Sequence, residues 1–139
     1  MKFAVVATLL IGCMHRVPPA DPRCAGGGPL FQGDNWRDNH DIRLWISTVG
    51  AWTYSESGGS IERGCLDAGQ LDDVNNALAH ATWMRPRVNG DHSCDGRERP
   101  LSFHVRDQLV FTIDCPTYPD DTTATAIVEI FAIVTLARH

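Results

Sequence analysis

Catalysis in a chain of this size needs nucleophiles, bases or metal ligands that fall into a pattern. The 139 residues hold five cysteines and six histidines. No two cysteines have the C-x2-C spacing of a zinc site, and the one close His/Cys pair is His92-Ser93-Cys94. The acids of Asp34-Asn35-Trp36-Arg37-Asp38-Asn39-His40-Asp41 lack the central glycine and late glutamate of a calcium loop, so this stretch reads as a solvated turn. No G-x-S-x-G, Walker, dinucleotide or H-E-x-x-H pattern is present. His104 alternates with the apolar residues of its strand and is expected to face solvent, as is His80 on a helix. Gly58-Gly59 precedes a strand-like stretch rather than a helix, so it reads as a turn and not a phosphate loop. The sequence therefore assigns no catalytic residue, no metal and no cofactor, and the chain is expected not to be an enzyme. Two features are candidate binding surfaces. One is the loop 84–100, whose Arg85, Arg87, Arg97 and Arg99 could meet an acidic partner. The other is Trp45, which falls on the strand face opposite the apolar residues Ile42, Leu44 and Ile46.

One cysteine has a different setting. Lys2 precedes a run from Phe3 to Ile11 that is apolar except for Thr8, and the run ends in Leu10-Ile11-Gly12-Cys13. Nine residues cannot span a bilayer as a helix, which takes roughly 20, but they suit a removed signal. The tetrad resembles the lipobox of bacterial lipoproteins. That resemblance implies cleavage before Cys13, diacylglycerol on its sulfur and an acylated new amine. It also implies an envelope address, and Met14 in place of an aspartate favours the outer membrane. Two or more acyl chains anchor a protein stably without a transmembrane helix.

An exported chain makes disulfides the default for Cys24, Cys65, Cys94 and Cys115. Four cysteines allow three connectivities. A hairpin symmetric about Asp107-Gln108 would bring Cys115 opposite position 100, near Cys94, which favours Cys94–Cys115 and leaves Cys24–Cys65. The net charge of −5 argues against nucleic acid, which calls for clustered basic surface. Oligomeric state is not legible.

The domain layout expected is a signal peptide over 1–12, the lipidated Cys13 with a Pro/Gly-rich tether over 13–34, and one domain over 35–139. Pro18, Pro19, Pro22, Pro29 and Gly26-Gly27-Gly28 suggest the tether. Ile42–Val49 alternates as a strand, 51–55 follows as a second, and 61–65 as a short third. Asp67 and Gln70 form a capping-box variant ahead of Leu71, Val74, Leu78 and Ala81, which predicts a helix running to about Trp83. Leu101, Phe103 and Val105 pair across a turn with Leu109, Phe111 and Ile113 as a hairpin. The segment from Asp120 carries Ala124, Ile127, Val128, Phe131 and Val134 on one helical stripe, widened by Ile130 and Ile133, although its β-branched content also suits a strand.

The order strand, strand, Gly-Gly turn, strand, helix, loop, hairpin, helix resembles the emfourin-type inhibitors of thermolysin-like metalloproteases. The likeness rests on Thr53 to Gly59, Leu71 to Trp83 and Asp95-Gly96, with Gly58 and Gly59 the matching turn residues. It implies a small α+β inhibitor. The fold expected is a disulfide-stapled α+β domain, with an antiparallel sheet of four or five strands and two helices on one face. Its expected role is a membrane-anchored, non-enzymatic module for a protein partner, an inhibitor being one form of it. The alternative is a small envelope enzyme or ligand-binding protein.

Overall fold

The structure is a computed structural model that describes residues 21–34, 42–56, 59–84, 87–88, 100–114 and 117–139, with backbone alone at 87–88 and 117–118. A short 3-10 turn at Pro22–Cys24 leads into the strands β1 (Pro29–Asp34), β2 (Ile42–Ser47), β3 (Ala51–Glu56) and β4 (Ile61–Cys65). Helix α1 (Ala68–His80) follows, then β5 (Arg87–Val88), β6 (Leu101–Val105), β7 (Gln108–Ile113), β8 (Thr117–Tyr118) and helix α2 (Asp121–Ala137). Six strands form one antiparallel sheet in the order β4-β3-β2-β1-β6-β7. β5, within the stretch read as loop, pairs with β8 as a separate ribbon.

The α+β class, the two helices and the Cys24–Cys65 disulfide agree with expectation, while the main sheet has six strands rather than four or five. The additional strand is β1, which lies within the stretch read as tether. Its Pro and Gly mislead because each has a positional role. Pro29 opens the strand, where a missing N–H is tolerated. Gly33 lets Phe103 lie against the backbone: a Cβ there would sit 2.5 Å from the Phe103 ring. Phe31 is fully buried and contacts Phe103 at a ring-centroid distance of 6.5 Å. β1 joins the two halves of the sheet, pairing with β2 on one side and β6 on the other.

The hairpin turns one residue earlier than expected. Arg106 and Asp107 both have positive φ, 50° and 65°, as a two-residue I′-type turn requires, and Asp tolerates that region better than most residues. A register shift follows between the pairs Phe103↔Phe111 and His104↔Leu109, so Val110 is the extra residue of a bulge. This one-residue slip turns Leu109 outward, where it is 60% exposed, while Phe111 and Ile113 remain in the core.

Both helices contribute to the same core as one face of the sheet. Phe31, Leu44, Ile46, Trp52, Tyr54, Phe103 and Phe111 meet Val74 and Ala77 of α1 and Ala126, Ile127, Ile130, Phe131 and Val134 of α2. The capping box of α1 is present as expected: Gln70 N donates to Asp67 Oδ1 at 2.8 Å, and Asp67 N to Gln70 Oε1 at 2.9 Å. The helix stops at His80 instead of near Trp83. Thr82 and Trp83 are drawn away because the Thr82 hydroxyl donates to Asp120 at 2.8 Å and Trp83 N to the Thr123 hydroxyl at 3.0 Å. The last segment is helix, not strand. Asp120 caps it, and its apolar side chains repeat at helical spacing against the core.

The disulfide ties the 3-10 turn to the end of the edge strand β4, with Cα atoms 5.8 Å apart. Cys13, Cys94 and Cys115 lie outside the described residues, as do the signal segment and the turn 35–41.

Candidate functional site

The sequence candidates land in separate places. Trp45 lies on the sheet face opposite the helices, in register with Gln32 of β1 and Thr53 of β3, and it is half-buried. Arg43 and Asp34 pair beside it at 3.2 Å. Asp34 is buried while Arg43 is more than half exposed, so solvent still screens the pair from one side and it orders the surface more than it stabilises it. A hollow of about 290 Å³ is lined by Trp45, Thr53, Arg63 and, from the first turn, Asp21, Cys24, Ala25 and Gly26. Arg87 lies in the β5 ribbon, and Arg85, Arg97 and Arg99 are outside the described residues. His104 is half-buried rather than exposed, with its Nδ1 buried and, like Trp52 Nε1, without a hydrogen-bond partner among the described residues. The Trp52 indole lies against Gly64, where a Cβ would come within 2.3 Å of the ring.

A groove of about 840 Å³ lies between α1 and α2. α1 supplies Asp73, Asn76, Ala77 and His80, and α2 supplies Asp121 through Leu136 along one side. The small side chains Ala77, Ala126 and Ala132 leave the space, and Ile133 and Leu136 extend it as apolar surface. Leu136 is 75% exposed. Three carboxylates, Asp73, Asp121 and Glu129, line the groove, and among the described residues no Lys or Arg does. His80 Nδ1 is engaged with the Asn76 carbonyl of its own helix at 2.7 Å.

Both ends of α2 are fixed. At the N-terminus, Asp120 is buried and takes hydrogen bonds from the hydroxyls of Thr82, Thr122 and Thr123 and from the backbone N–H of Thr122 and Thr123. Burial alone would raise its carboxyl pKa. The threonine hydrogen bonds outweigh that and hold it well below the usual carboxylate range. At the C-terminus, Arg138 donates through Nε to Glu62 at 2.7 Å and through its other nitrogen to the same carboxylate, and its guanidinium lies 3.9 Å over the Tyr54 ring. The Arg138 hydrogen bond lowers the Glu62 pKa, and the same bond raises that of Arg138. Burial, then the bond to Glu56, raises the Tyr54 hydroxyl. A wall held at both ends keeps its shape when something rests on it.

The groove leaves a trace in the sequence. Leu136 lies off the apolar stripe and Ile133 only widens it, a breadth that reads as core until the neighbouring helix is placed. Among the described residues no group of three His, Cys, Asp or Glu side chains could hold a metal, and no helix is long and apolar enough to cross a membrane. No protein-family model, curated protein or solved structure matches the chain.

Proposed function

We propose that this chain is an envelope lipoprotein, anchored through Cys13, that binds a protein partner without catalysis and does so through the groove between α1 and α2. The carrying observation is the groove: an apolar floor that includes the half-buried Ile133, with Leu136 open to water beside it, on a helix fixed at both termini. Large exposed apolar side chains grouped in a cleft are the usual mark of a binding surface. The lipobox-type tetrad ending at Cys13 supports the anchor.

Two experiments test the two halves. Cys13→Ser is expected to move the protein from the membrane pellet to the soluble fraction on cell fractionation; retention in the pellet would remove the anchor. A photo-cross-linker placed at Thr125, in the groove, is expected to trap one envelope protein in the full chain. Leu136→Glu in the same chain should abolish that adduct while leaving the circular-dichroism melt unchanged, since the side chain is exposed. An adduct that survives Leu136→Glu would dismiss the groove as the site.

A further inference from the structure

We infer that the occupant of the groove is an amphipathic α-helix of a partner protein, apolar on its seated face and carrying Lys or Arg along its flanks. This rests on the proposed function above and names the partner chemistry of the same site.

The shape argues for a helix. The lining residues of α2 run from Asp121 to Leu136 at positions 121, 122, 125, 126, 129, 132, 133 and 136, which is one continuous face. At 1.5 Å per residue that face is about 22 Å long, or roughly four turns. The walls are two helices whose interior backbone groups are already hydrogen-bonded within each helix, so the floor of Ala77, Ala126, Ala132 and Ile133 offers no backbone ladder. An extended peptide laid there would leave its own N–H and C=O groups without partners, whereas a helix satisfies them internally. Small residues on the floor let a third helix approach closely, and Ile133 with Leu136 gives its apolar stripe a large contact at one end.

The charge argues for basic flanks. Asp73 stands on the α1 side, Asp121 and Glu129 on the α2 side, and no Lys or Arg among the described residues lines the groove. A helix with Glu on its flanks would meet like charge on both walls, and one with Lys or Arg would meet opposite charge on both. The same arrangement disfavours a second copy of this groove, which would bring six carboxylates together, and it disfavours an anionic lipid surface.

The test uses the mature full chain and two 18-residue peptides with one Leu/Ala stripe, flanked by Lys in one and by Glu in the other. Fluorescence anisotropy at low salt is expected to show the Lys-flanked peptide binding about tenfold tighter, the sum of three weak exposed pairs. Raising the salt to about 0.5 M should shrink the difference, because exposed charges are screened. Asp73→Lys with Glu129→Lys should erase or reverse it, with Leu136→Glu weakening both peptides. Equal affinities, no binding of either peptide, a preference that survives the charge reversal, self-association of the chain in sedimentation, or binding to phosphatidylglycerol vesicles in place of the peptides would each overturn the inference. If the cross-linked envelope adduct is lost in Leu136→Glu while the peptides show no charge preference, the inference fails and the proposed function stands. Failure of both removes the groove altogether.

Discussion

Replacing Cys24 and Cys65 together by alanine is expected to lower unfolding free energy by about 4 kcal/mol, because the bridge closes a loop over a sequence separation of 41. The loss acts mainly on the unfolded chain, which regains the freedom of all four strands β1 to β4. It also acts locally. β4 is the sheet edge, and Cys24 is buried against it, so the opened chain gains little by staying docked. Urea denaturation of the wild type and the double variant, each under non-reducing conditions, measures the difference. The double variant is preferred to a single one because it leaves neither Cys24 nor Cys65 as a lone thiol to exchange. A midpoint shift worth less than about 1 kcal/mol would mean that this cross-link does not hold the edge strand.

Asp120→Ala comes next, at about 3 kcal/mol. Losing an N-cap accounts for roughly 0.5–2 kcal/mol. The remainder comes from the buried Thr123 hydroxyl, which donates to Asp120 Oδ2 at 2.7 Å and would lose its acceptor. The damage should extend to α1, since the Thr82 hydroxyl loses the same carboxylate. Asp120→Asn keeps an acceptor oxygen and should cost less. The pH dependence has a definite sign. The folded carboxyl pKa is depressed below its unfolded value of 3.8, so its contribution is complete above that value and fades as pH falls through the folded one. The stability gap between wild type and Asp120→Ala should therefore be flat above about pH 5 and narrow in acid. A gap that widens in acid, or one that is flat down to pH 2, would show that Asp120 is not the charged centre of this junction.

Much of the fold was legible because local signals agreed with the tertiary result. The capping box at Asp67 and Gln70, the spacing of Leu71, Val74 and Leu78, and the alternation of Ile42, Leu44 and Ile46 need no distant partner to be read. Two of the departures depend on a contact far along the chain, and a third on an irregularity within a hairpin. α1 ends at His80 because Thr82 answers to Asp120, 38 residues away. β1 looked like tether because the use of Gly33 is visible only when Phe103 lies against it. Leu109 faces water because a bulge at Val110 shifts the strand after its turn, and alternation alone carries no sign of a bulge. The groove was the least legible. Ala77 and Ala126 are ordinary helix formers until the two helices are side by side, and only then does their small size become a space.

The position of β1 bears on the order in which this chain can become a protein. Its pairing residue Phe31 lies far upstream of Val105. β1 to β4 can form a meander, and Cys24–Cys65 can lock it, before β6 has joined. Until then β1 is an edge with Phe31 beside it, although it ends as an interior strand. Long-range pairing of this kind slows folding. It also gives the folding chain a sticky border at the place where the finished molecule has none. The seam between β1 and β6 thus closes late, and a helper that covers a bare strand early in the life of the chain would find it there.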